Sequence, residues 1–150
     1  MRAVAARETR PVRMAPLSVL PAFFDLKGQR VVLAGAGDGL LWKCELAAAA
    51  GAQVEVYSDE PPSADLAALA VAPPAGRVRL VNRGGRREDF TGAALAIGAL
   101  EGADAEAFAA EARAAGVPVN IVDRPALSTF SFGTVVNRSP VVVAISTAGG

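Results

Sequence analysis

The sequence predicts an α/β domain, a parallel sheet with helices on both faces, followed by an antiparallel hairpin. Three observations predict it. Short β-branched runs alternate with Ala- and Leu-rich segments as far as residue 122. A Gly-Ala-Gly-Asp-Gly turn follows the first run and opens the first helix-forming segment. Beyond Asp123 the helix-forming segments cease and two extended runs remain. Strands alternating with helices imply parallel pairing, because each crossover helix returns the chain to the end of the sheet from which it left.

The elements follow in chain order. Residues 1–19 read as a disordered leader: positions 1–13 carry four arginines against one glutamate and show neither a helical nor a strand period. An organelle-targeting leader and a true start at Met14 are the two readings of that stretch. Residues 30–34 (RVVLA) form the first strand, and LLWKCELAAAA after the glycine turn forms the first helix. Gly51 can end that helix in a left-handed conformation before a second strand at 54–57. Ser63 caps a helix running through Val71, residues 77–81 form a strand, and residues 94–99 (ALAIGA) form a fully buried one. A helix over 103–115, ended by Gly116, leads to a strand at 117–122 with Pro118 at its first residue. Residues 129–136 and 140–146 are the two extended runs, joined by Asn137-Arg138-Ser139. Two strands alone are marginal in water, and VVVAIS would expose an apolar edge, so a homodimer is expected to cover it.

Composition excludes several classes of function. At 150 residues the chain is long enough for one compact core. Its 15 basic and 15 acidic residues cancel, with no basic run interleaved with aromatics, so nucleic acid is not an expected partner. No apolar stretch approaches the roughly 20 residues that cross a bilayer, so the expectation is no membrane and a cytoplasmic protein. The single cysteine, Cys44, cannot form an internal disulfide and lies mid-helix, where it reads as a small core hydrophobe; Trp42 on the same helix reads as packing. The chain has no histidine, which removes Ser-His-Asp triads, Cys-His pairs and His-based zinc sites. Tyr57 is the only tyrosine and no lysine lies four residues after it, so a Tyr-Lys base pair is missing too. Carboxylates lead as candidate bases, and no metal site is expected.

The glycine turn stands in the strand-turn-helix context that gives a dinucleotide fingerprint its meaning, and makes the expected fold Rossmann-like. Gly35 permits the tight turn, and Gly37 lets backbone N–H groups approach a pyrophosphate at the helix N-terminus. Leu40 stands where the usual last glycine would be, and a plain structural turn is the other reading. Asp59 and Glu60 end the second strand, where an acid accepts the adenosine ribose hydroxyls and disfavours the extra phosphate of NADP; solvated loop charges are the alternative. NAD is therefore the expected cofactor. Asp123 lies just past a buried strand, with Asn120 three residues before it. It reads either as a general base facing the crevice or as the start of an Asp-Arg-Pro turn. The resulting division is a leader over 1–19, an NAD-binding domain over 20–124, and the start of a truncated dimerisation region over 125–150.

Several ordered motifs together resemble one family, the precorrin-2 dehydrogenase/sirohydrochlorin ferrochelatase module of siroheme synthase. They are LPAFFDLKGQRVVLAGAGDG, KCELAAAAGAQVEVYSDE and VPVNIVDRPALSTFSFGTVVNRSPVVVAISTAGG, so the likeness runs from Leu20 to Gly150. The resemblance implies NAD-dependent oxidation of precorrin-2 to sirohydrochlorin, with Fe²⁺ as a substrate for insertion into the macrocycle. It implies that Asp123 is the essential aspartate, serving as base in both steps, and that Asp38 and Gly39 join Asp59 and Glu60 in contacting NAD. It also matches Thr147, with Ser146 beside it, to a serine that is phosphorylated in some relatives. The family's Ala-Ala-Thr-Asp-Asp is replaced by Gly-Ala-Leu-Glu-Gly at 98–102, which loses a hydroxyl near the cofactor cleft. Members of the family continue past this point into a helical region and often a methyltransferase domain, so the chain is expected to be a truncated part. A catalytically idle NAD-sensing or dimerisation module would share the glycine turn but has no reason to carry the stretch from Asn120 onward.

Overall fold

The computed structural model describes residues 13–147; residues 1–12, which hold most of the expected leader, lie outside the described residues. Among the described residues there are two compact units, Phe24–Gly133 and the pair of segments 13–23 and 134–147.

The larger unit is a five-stranded sheet in the order β3-β2-β1-β4-β5, every pairing parallel. Its elements are β1 (Arg30–Gly35), α1 (Asp38–Ala49), β2 (Gln53–Ser58), α2 (Ala64–Val71), β3 (Arg77–Asn82), β4 (Leu95–Ala99), α3 (Gly102–Ala114) and β5 (Val119–Ile121). The sheet grows outward from β1 through β2 to β3, then the chain crosses back to place β4 on the other side of β1. That reversal opens a crevice at the C-terminal ends of β1 and β4, the position at which open α/β sheets bind ligands.

Period-two alternation sorts side chains to the two faces. Val31 and Leu33 of β1 join Val54, Val56, Leu95 and Ile97 in a core covered by α1 and α2. Val32 and Ala34 point the other way, into a core with Phe108 of α3 and Phe90, whose rings meet edge to face at 5.0 Å. Both faces are apolar, which is why these strands read as near-continuous hydrophobic runs. Cys44 is fully buried in the first core, and burial pushes its thiol up to about 12, as befits a packing residue. Ser63 caps α2 as expected, its Oγ accepting from the Leu66 N–H at 3.2 Å.

The extended run expected over 129–136 begins only at Thr134, because the residues before it serve the edge of β5. Thr129 N–H donates to the Val119 carbonyl at 2.7 Å. The Val119 and Ile121 N–H groups donate to Thr129 Oγ1 at 2.8 Å and Ser128 Oγ at 2.9 Å. Hydroxyls thus satisfy an edge that a sixth strand would otherwise occupy.

The smaller unit contains an antiparallel hairpin of β6 (Thr134–Arg138) and β7 (Val141–Ile145), with Val136 opposite Val143. Asn137 and Arg138, expected in the turn, end β6, and the turn is Ser139-Pro140. Val141, Val142, Val143 and Ile145 are all exposed within the described chain.

A part-buried ionic network was not foreseen from the sequence. Glu55 sits inside β2 and accepts from Arg30 Nε at 2.6 Å, from the Tyr57 hydroxyl at 3.0 Å and from Arg79 directly opposite on β3. Arg30 also donates to the Asp89 and Thr91 carbonyls at 2.7 and 2.6 Å, tying the sheet to the 3₁₀ turn Arg87–Phe90. Arg83 grips Asp89 with two parallel bonds of 2.8 Å, and this fork holds the Asp89 carboxyl down at about 2. Burial works against the charge on Glu55, yet its three donors outweigh it and keep its pKa below the ordinary value. Both carboxyls titrate lower in the folded chain than in the unfolded one, so their stabilisation is complete above about pH 4.5 and is lost as pH falls toward 2. Thermal melts between pH 7 and pH 2.5 should show a falling Tm, and Asp89→Asn should flatten that fall while lowering Tm at pH 7. An acid profile identical in the two proteins would refute the assignment.

Candidate functional site

The crevice is built around the turn between β1 and α1. Gly35 has φ +105, and a Cβ there would lie 2.0 Å from the Ala99 carbonyl oxygen, so β1 and β4 meet at this spacing only through a glycine. Gly37 is the residue before α1, with φ +96 and open space where a Cβ would stand. No side chain caps α1. The first N–H to return into the helix is that of Leu41, on the Gly37 carbonyl at 3.1 Å, which leaves the N–H groups of 38–40 among the orphan donors of the first turn. An open glycine beneath free amide donors and a helix dipole suits a pyrophosphate.

The missing last glycine has a structural answer. Leu40 is fully buried in the core, and the close helix-strand approach is made instead by Gly39, where a Cβ would press on Val122 Cγ1 at 3.2 Å. Asp38, exposed in the first turn, favours the helix through the dipole but opposes an incoming anion, so its side chain cannot be what attracts a phosphate.

Two adjoining clefts open from this turn. The first, about 550 Å³, is lined by Gly35, Ala36, Asp59, Glu60, Gly84 and Leu100 among others. Asp59 is exposed there, and its Oδ1 accepts from the Gly84 N–H at 2.9 Å. Glu60, whose N–H donates to Ser58 Oγ at 3.1 Å, also borders a smaller apolar recess of about 290 Å³ toward α1 and α2. The second cleft, about 420 Å³, shares Ala36, Ala99, Leu100 and Glu101 with the first and is lined further by Val122, Asp123 and Arg124. The clefts therefore run together over the switch point.

Asp123 occupies a tight turn closed by the Arg124 N–H on the Ile121 carbonyl at 3.1 Å, and its φ of 58 is left-handed, a conformation Asp and Asn tolerate best among non-glycine residues. The turn that one of the two sequence readings expected at Asp123 is therefore present in its backbone. Its side chain is exposed in the second cleft, and among the described residues it makes no hydrogen bond to the turn. Asn120 does not join it. It is buried and faces α1, accepting from Lys43 Nζ at 3.0 Å and donating to the Phe130 carbonyl at 3.0 Å. Lys43 lies 5.2 Å from the Phe132 ring centre; burial lowers its pKa, opposed by the charge of Asp123.

Sequence reasoning missed Gly84, which lines the first cleft, and the contact of Lys43 with Asn120. Lys43 reads as one more polar residue on a helix until α1 is laid against β5. Gly84 lies in Arg-Gly-Gly-Arg-Arg, whose paired glycines are a signal that the backbone comes close to something. Among the described residues no helix is long and apolar enough to cross a membrane.

Comparison with known proteins supplies context for this geometry. A family model described as "Putative NAD(P)-binding" matches residues 22–134. The siroheme synthase of Stutzerimonas stutzeri (strain A1501) is 40% identical over 134 residues, covering 89% of this chain and 28% of the relative. That of Pseudomonas putida (strain W619) is 42% identical over 135 residues, with the same coverage of 89% and 28%. The chain thus spans little more than a quarter of these curated relatives. A solved structure, SirC, precorrin-2 dehydrogenase, superposes with a TM-score of 0.66 at 18% identity over 87% of this chain and 63% of that one. At that identity the likeness shows a shared fold, as the sequence predicted.

Proposed function

The chain belongs to this NAD(P)-binding family, and from that premise we propose that it oxidises precorrin-2 to sirohydrochlorin with NAD, using Asp123 as the base. The observation that supports the reading is that the two clefts share Ala36, Ala99, Leu100 and Glu101, so the glycine turn and an exposed carboxylate border adjoining space. The 40% identity to a siroheme synthase supplies the substrate class.

When bound, NAD supplies the acceptor for a hydride. Gly35, Gly37 and the amides of 38–40 would hold its pyrophosphate, and Asp59 would accept hydrogen bonds from the adenosine ribose, which favours NAD over NADP. Loss of a hydride from the macrocycle leaves a proton to be removed. The Asp123 carboxylate takes it, since the chain has no histidine to do so. After releasing that proton to solvent, the same exposed carboxylate takes, one at a time, the two pyrrole protons displaced when Fe²⁺ enters as a substrate, passing each to water. The exposed valines of β6 and β7 support a homodimer that covers them.

The test is to incubate the protein with NAD and precorrin-2 and follow sirohydrochlorin absorbance, with the siroheme synthase of Stutzerimonas stutzeri as positive control. Turnover stoichiometric with NADH is the expected result. NAD binding without any sirohydrochlorin, beside an active control, would overturn the dehydrogenase reading.

A further inference from the structure

Asp59, just past the end of β2, stands against the loop that follows β3, and that second loop is clamped from beneath. The loop turns at Arg83, which bridges back to Ser58 next to Asp59, and whose N–H donates to the Val81 carbonyl at 2.9 Å. Arg83 Nη1 donates to the Gly84 carbonyl at 2.9 Å, while Nη1 and Nη2 grip the Asp89 carboxylate. Its guanidinium stacks 4.8 Å above the Tyr57 ring, and Asp89, itself buried, also accepts from the Arg86 N–H at 2.7 Å. Gly84, so held, donates its N–H to Asp59 Oδ1 and has only 3.1 Å between the site of a Cβ and Asp59 Oδ2.

We propose that Arg83, Asp89 and Gly84 are positioning residues for cofactor choice, together holding the Asp59 carboxylate where it accepts the ribose hydroxyls and repels a 2′-phosphate. The inference rests on the reading of Asp59 as the ribose-binding acid and deepens it. A carboxylate with one oxygen tied to a backbone amide is held in one orientation, so accepting a ribose diol costs little further ordering. The fork also has an electrostatic side. Paired with Asp89, the Arg83 cation is neutralised close to the first cleft. Without its partner it becomes the arginine that accommodates a 2′-phosphate in NADP-binding sites.

The experiment is titration of NAD and NADP into the full chain by calorimetry, read as the ratio of the two dissociation constants. Asp59→Asn should cut the preference for NAD by tenfold or more (about 1.4 kcal/mol per tenfold). Asp89→Asn, nearly isosteric, should cut it by about as much, through weaker NAD and tighter NADP binding. Gly84→Ala leaves the fork intact and acts only by crowding Asp59, so it keeps the test decisive if Asp89→Asn is poorly folded; a severalfold fall in the ratio is expected. A ratio unchanged by Gly84→Ala, or equal loss of both cofactors in Asp89→Asn, overturns the proposal while Asp59→Asn still shifts the preference. An unchanged ratio in Asp59→Asn overturns the underlying ribose reading instead.

Discussion

Replacing Asp123 with asparagine is expected to slow precorrin-2 oxidation by about 10²–10⁴-fold, the usual contribution of a positioned base, while NAD affinity stays within about twofold. The choice of asparagine follows from the backbone. Position 123 has φ 58, which asparagine tolerates almost as well as aspartate, whereas alanine adds strain of its own. Asparagine therefore removes the ability to accept a proton and leaves the turn after β5 in place. Because the side chain is exposed and makes no hydrogen bond among the described residues, Tm should move by less than about 2 °C. Stopped-flow or steady-state measurement of NADH formation gives the rate, and a titration of NAD gives the affinity. A variant that oxidises precorrin-2 at the parent rate would strip Asp123 of its role and leave a dinucleotide-holding shell.

The order of strands and helices was legible because local signals and global packing agree. β1 and β4 are apolar on both faces, α2 has its serine cap, and Gly51 and Gly116 both take the left-handed φ that ends a helix. Three features were illegible for different physical reasons. The retreat of the hairpin to Thr134 depends on hydroxyls of Ser128 and Thr129 satisfying the β5 edge, and β-branched composition alone cannot tell an edge cover from a strand. The Glu55 network depends on register: a glutamate within QVEVYS signals a buried charge, but its partners Arg30 and Arg79 are named only when β2 is set between β1 and β3. Asn120 illustrates the third. It lies three residues before Asp123, but alternation along β5 sends it to the α1 face, so proximity in sequence did not mean a shared site.

The largest stability effect is expected at the floor of the crevice. Gly35→Ala puts a methyl group 2.0 Å from the Ala99 carbonyl oxygen and imposes an L side chain on φ +105. Neither neighbour can give way cheaply, since one is sheet backbone in β4 and the other is β1 itself. Left-handed strain of about 1–3 kcal/mol and overpacking of about 1–3 kcal/mol add to about 2–6 kcal/mol, which for a domain of this class lowers Tm by on the order of 10 °C or more. Gly37→Ala separates stability from binding. Its φ of +96 carries the strain, but the space around a Cβ is open, so the cost should stop at about 1–3 kcal/mol. That open space is where a pyrophosphate would rest on the first turn of α1, so NAD affinity should still fall at least about tenfold, equivalent to about 1.4 kcal/mol. Thermal melts with and without saturating NAD resolve the two: the parent should be stabilised by the cofactor, Gly37→Ala much less so. If Gly37→Ala is stabilised as fully as the parent, the turn is a plain structural one and the dinucleotide lies elsewhere.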